Sequence, residues 1–217
     1  MAAASYLAVP AASFAGEVLD RVTASVGNVA ITASDVQKEY RLERFLDGQW
    51  PAPAPDAGAI ADVRERLTRQ ILLSPEETSE GGDQAESEKA AAERLAALRK
   101  SFAHPEDFQA ALHGLGMTES QVLAHIAQQE RLLRVIDQRL RPVAAPSQQE
   151  VSDYYQQVLV PEFQKKNPGV AAPPLSEVEN QIRKVLTEKR INELLDQWIE
   201  ELKPTSRVRF HSFEEGR

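Results

Sequence analysis

The stretch from Ser176 to Leu202 constrains this chain more than any other. Val178, Ile182, Val185, Leu186, Ile191, Leu194, Leu195, Trp198, Ile199 and Leu202 recur at helical spacing. At roughly 1.5 Å per residue such a helix is about 39 Å long. Its apolar face is too broad to lie in water, so it must pack on other elements. Ser176 and Glu179 predict a capping box at its start, and Pro204 predicts its stop.

Beyond it, Arg207 to His211 alternates polar and apolar residues, as an edge strand does. A complementary pattern lies near the other end. Val18, Val22, Ala24 and Val26 share one face of an extended segment, Gly27-Asn28 supplies a turn, and Val29-Ala30-Ile31 returns. A lone hairpin is marginal in water, so the terminal strand is its expected partner. The two chain ends should therefore meet in one small antiparallel sheet. The expected class is mainly α, a multi-helix body with a sheet made by an N-terminal hairpin and a C-terminal strand. One domain over residues 17–217 follows.

Between the ends, local signals set the helices. Thr32 with Asp35, Thr118 with Gln121, and Ser147 with Glu150 can each cap a helix start. Asp56 can cap a helix carried by Ile60, Val63, Leu67 and Ile71, with Ser74-Pro75 ending it. Pro105 suits a first helical turn, and Gly114 is the expected close of that short helix. Gly48 can stop the first helix, and Pro51 to Pro55 reads as an extended connector. Acidic residues without basic ones from Glu76 to Glu88, together with Gly81-Gly82, predict a solvated mobile loop over 74–89. Prolines 161, 168, 173 and 174 predict an irregular connector over 158–175.

Much chemistry is excluded by composition. There is no cysteine, so disulfides, thiol nucleophiles and thiolate metal sites are ruled out. A net charge of −8 argues against a nucleic-acid partner. His104, His113, His125 and His211 form no metal-binding helical pair. No phosphate loop or nucleophile elbow is present. No cofactor, ATP or metal is expected. Ala2 to Ala15 is small and apolar, with Ser13 and Ala15 in a small-x-small ending, though Pro10 interrupts it and no basic residue precedes it. Residues 1–16 thus read as a signal-like or disordered segment, and export is expected. No other stretch has the roughly 20 apolar residues of a membrane span.

In order along the chain, several segments resemble SurA-like periplasmic chaperones. Val18-Leu19-Asp20-Arg21-Val22, Val26 through Thr32, and Ser34-Asp35-Val36 resemble the family's opening. Phe108 to Leu112, Gly116-Met117-Thr118 and the helix through Arg141 are similar to its middle segment. Val151 to Tyr155 resembles the lead into a parvulin-type prolyl isomerase domain, and Leu175 to Trp198 with Arg207 to Phe210 resembles the closing helix and strand. Two departures stand out. The turn reads Gly27-Asn28 rather than Asn-Gly, and only a short connector separates Tyr155 from Leu175. An isomerase domain of roughly 90 residues cannot fit there.

The resemblance implies an ATP-independent holdase without isomerase activity, periplasmic, whose clients are unfolded outer-membrane or secreted proteins. The expected client-binding residues, at helix ends and loops, are Phe45, Leu46, Trp50, Leu72, Leu73, Phe102, Leu115 and Met117. Trp50 in particular, between Gly48 and the Pro-Ala run, needs a docking site or a partner. The rival reading is an envelope scaffold with one specific partner, or a homodimer exchanging the long helix. Prolyl isomerase activity is the third.

Overall fold

The structure, a computed structural model, describes residues 20–79 and 84–211. The signal-like segment, Val18 and Leu19, and residues 80–83 of the acidic stretch lie outside the described residues.

Strands β1 (Val22–Val26) and β2 (Val29–Thr32) form the hairpin, and β3 (Arg209–Phe210) pairs on the other side of β1. All pairing is antiparallel, in the order β2-β1-β3, so the N-terminal hairpin and the C-terminal strand do meet. Gly27 turns the hairpin with φ +56°, and its N–H donates to Ser206 O at 2.7 Å, tying the turn to the end of the long helix. The His211 N–H donates to Thr23 O at 3.0 Å.

The inner face of β1 differs from the expected alternation. Val22 pairs with Thr32 but Ala24 pairs with Ile31, so Thr23 is an extra residue, a β-bulge. The bulge turns Thr23 inward and leaves Val22 exposed. Buried Thr23 satisfies its hydroxyl by donating to Ile31 O at 3.0 Å.

The helices are α1 (Ala33–Leu46), α2 (Ala57–Ser79), α3 (Gln84–Ser101), α4 (Pro105–Leu115), α5 (Glu119–Leu140), α6 (Gln148–Tyr154), α7 (Val160–Lys166) and α8 (Leu175–Thr205). Capping boxes form at Thr32, Thr118 and Ser147, where each hydroxyl and its third-neighbour side chain exchange bonds with free backbone amides. Asp56 Oδ1 accepts from the Ala59 N–H at 2.7 Å at the start of α2.

Several boundaries fall elsewhere than expected. Pro75 does not end α2. It has no N–H for the Ile71 carbonyl, but the Ser74 hydroxyl donates to that carbonyl at 3.1 Å, and the helix continues. The acidic stretch is helical on both sides of residues 80–83, as the end of α2 and the start of α3. Glu76 pairs with Arg139 at 3.2 Å and Glu86 with Arg134 at 3.6 Å, so arginines of α5 neutralise charge that sequence left solvated. Gly114 lies inside α4, which Gly116 closes with φ +67°. The 158–175 connector is helical in its first half, where α6 passes through a π-turn, Tyr155–Leu159, into α7, and irregular over 167–174, where Pro168, Pro173 and Pro174 lie. At the head of α8, Pro174 occupies the cap position, so Ser176 is already inside the first turn and caps nothing. Glu179 pairs instead with Arg183 at 2.9 Å.

The long helix is covered over most of its apolar face, Val185 excepted. Its second half buries Trp198 and Ile199 against Leu72, Leu73, Val135 and Val26, while its first half buries Val178 and Ile182 against Val151. Among the described residues, no helix is long and apolar enough to cross a membrane.

Candidate polypeptide-binding cleft

Four of the eight residues expected at a client surface are core. Phe45 is 0 % exposed and sits at the centre of an aromatic cluster, with Trp50 at 6.0 Å, Phe102 at 5.9 Å and Phe108 at 5.9 Å between ring centroids. Leu115 is buried in the same cluster. Leu72 and Leu73 are buried beside Val135 and Trp198. These four present no surface to a client in this conformation; helix-end position did not mean exposure, because neighbouring helix ends converge on them. Leu46, Trp50 and Phe102 are partly buried against the aromatic cluster.

Trp50 has its docking site within the chain. Its indole lies over Gly114, where an added Cβ would come within 2.8 Å of the ring. The Arg41 guanidinium stacks 5.8 Å from the indole centroid and also donates to Gly114 O. Phe45 meets the indole edge at an interplanar angle of 89°. The absence of a side chain at Gly114 is thus what admits Trp50.

Of the eight, only Met117 lines a cleft of 630 Å³ between the sheet and three helices. Strand β2 forms one wall through Val29, Ala30 and Ile31; α1 contributes Asp35, Lys38, Glu39 and Leu42; α2 contributes Leu67 and Ile71; α5 closes the far side. A hollow of 220 Å³ continues the cleft past Glu39 and His125 toward Ser74. The floor is apolar, since Ile31 and Leu42 are buried and Leu67 and Ile71 are partly so. The walls are polar. Asp35 is spent on the Thr32 cap, accepting from its N–H at 2.9 Å and its hydroxyl at 2.7 Å. Glu39 Oε1 lies 3.3 Å from His125 Nε2, and the same ring nitrogen lies 2.9 Å from Gln129 Nε2. A protonated Nε2 donates to the carboxylate, and a bare one accepts from the amide.

The β2 wall is a sheet edge, because β1 covers only one of its sides. Val29 is 49 % exposed there. The two-residue turn makes Val26 and Val29 a hydrogen-bonded pair, so the backbone groups of Ala30, one step on, point away from β1. A ligand in this cleft would meet an apolar floor, a row of polar side chains and a main-chain donor and acceptor that are unpaired among the described residues.

Sequence reasoning missed Ala30, Lys38, Leu67, Ile71 and His125 as a set. The helical period through Leu67 and Ile71 was visible, and so was the extended β2. Neither says which side of β2 stays open. Among the described residues, no group of three or more His, Asp or Glu side chains could hold a metal ion. No protein-family model matches the chain, and no curated protein matches it.

Proposed function

We propose that this chain is an ATP-independent holdase that binds extended or unfolded polypeptides in the cleft between β2, α1, α2 and α5, without prolyl isomerase activity. The observation that carries this reading is the cleft itself: 630 Å³, apolar-floored, with a sheet edge for one wall. Extended chains are recognised by main-chain pairing for affinity and by side-chain pockets for preference. The ordered resemblance to SurA-like chaperones supports the same reading, and with it a periplasmic location and outer-membrane or secreted clients. The chain between Tyr155 and Leu175 is a π-turn, a short helix and a brief Pro-containing segment, which supports the lack of an isomerase domain.

Light scattering from an aggregating client tests the proposal. Suppression should appear at stoichiometric amounts and persist without nucleotide. Undiminished aggregation at several-fold molar excess overturns it. The second reading, a module with one dedicated partner, draws on Leu133, which is 57 % exposed beside a 530 Å³ hollow between α5 and α8. Pull-down from an envelope extract separates the two: one stoichiometric partner favours the module, many weak clients favour the holdase.

A further inference from the structure

We infer that β2 is a docking edge, and that the preferred occupant is an extended client segment carrying an acidic residue beside an apolar one. The inference rests on the holdase reading and adds to it the mode of recognition. Its main-chain part follows from register. Val29 and Ile31 face β1, and Ile31 O already accepts from the Thr23 hydroxyl. The Thr32 N–H is taken by Asp35. Among the described residues of β2, Ala30, exposed and on the cleft wall, keeps its N–H and C=O directed outward without a partner. One more strand laid along β2 would exchange two hydrogen bonds with it and place alternate side chains over Leu42, Leu67 and Ile71.

The charge preference follows from what the cleft has already spent. Asp35 is held by the Thr32 cap, and Glu39 faces His125. The Lys38 ammonium, also on the cleft, has no ion pair among the described residues. A carboxylate on the incoming strand would complement it, with a salt dependence typical of an exposed pair.

The test uses a short fluorescein-labelled peptide of alternating valine and threonine with one glutamate, read by anisotropy. Methylating its alternate backbone nitrogens should weaken binding about tenfold, the equivalent of losing a main-chain hydrogen bond or slightly more. The protein is unaltered in that comparison, so folding does not enter. Ala30→Pro removes the outward N–H while leaving the β1 pairing intact, as proline on a sheet edge does. It should weaken the unmethylated peptide by a similar factor. Lys38→Glu should invert the preference between the glutamate peptide and its lysine counterpart. Equal affinity for methylated and unmethylated peptide overturns strand addition, while the holdase reading stands or falls separately on the scattering assay. A concentration-dependent dimer that Ala30→Pro dissolves would put a second copy of this chain on the edge and overturn the client assignment.

Discussion

The aromatic-centred region and the α6–α8 leaf are held together in different ways. Around Phe45, α1, α3, α4 and α5 bury Leu42, Leu95, Phe108, Leu112, Val122 and Ile126, and four aromatic rings touch within 6.0 Å. In the leaf, the buried apolar residues are Val151, Val178 and Ile182, with Tyr154, Tyr155, Leu159 and Leu186 only partly covered. Val185 on the same helix is half exposed. Polar bonds do more there: Tyr155 OH donates to Pro173 O at 2.9 Å, Arg183 donates to Pro146 O at 3.2 Å, and Arg190 reaches Glu150 at 3.2 Å. These contacts are at most part-buried and contribute little each, so the leaf should open at lower free energy than the aromatic region.

The largest expected effect is in the aromatic region. Phe45→Ala removes a fully buried ring that three others pack on, and should cost about 3–5 kcal/mol of global stability, read by denaturant unfolding. Ile182→Ala should cost about 2 kcal/mol, at the low end for a buried aliphatic because a thin leaf can collapse on the gap. Hydrogen exchange should localise that loss to α6 and α8. If Ile182→Ala costs as much as Phe45→Ala and lowers protection everywhere, the contrast between the regions is wrong.

Gly114→Ala sharpens the aromatic side. A helical alanine gains about 1 kcal/mol over glycine, but here the new methyl would press on the Trp50 indole. A net loss of about 1 kcal/mol with a change in tryptophan fluorescence is expected; a gain in stability would mean that Trp50 is loosely held.

The smallest effect concerns acid. Hydrogen bonds from the Ser147 N–H and hydroxyl, then the charge of Arg190, hold Glu150 below its ordinary value of 4.5. A carboxylate lowered in the folded state contributes stability above its ordinary value and loses it as pH falls through the folded value. Protection of α6 should therefore fall below about pH 4.5 before that of the aromatic region. Parallel loss in both regions would remove Glu150 from the account.

How much of this was legible in the chain follows the range of each interaction. The boxes at Thr32, Thr118 and Ser147 could be read because donor and acceptor lie three residues apart. The box at Ser176 failed because Pro174, one position upstream of α8, had taken the cap. Pro75 misled because a single hydroxyl, Ser74, replaces the missing donor. The acidic stretch looked solvated because its arginine partners, Arg134 and Arg139, lie far along the chain. Trp50 was rightly seen to need a place, but Gly114 could not be named as that place from sequence.

Local pattern along the chain is enough for a mainly helical protein with three capped starts, a long helix that must be covered, and a hairpin and a late strand that must pair. Those results come from backbone valence and side-chain period, both fixed within a few residues. Long-range packing turns Thr23 inward, makes Phe45, Leu72, Leu73 and Leu115 core, and among the described residues leaves one edge of β2 open over an apolar floor. An apolar stripe has the same period whether another helix covers it or a cleft leaves it bare, and only the packing of remote segments tells the two apart.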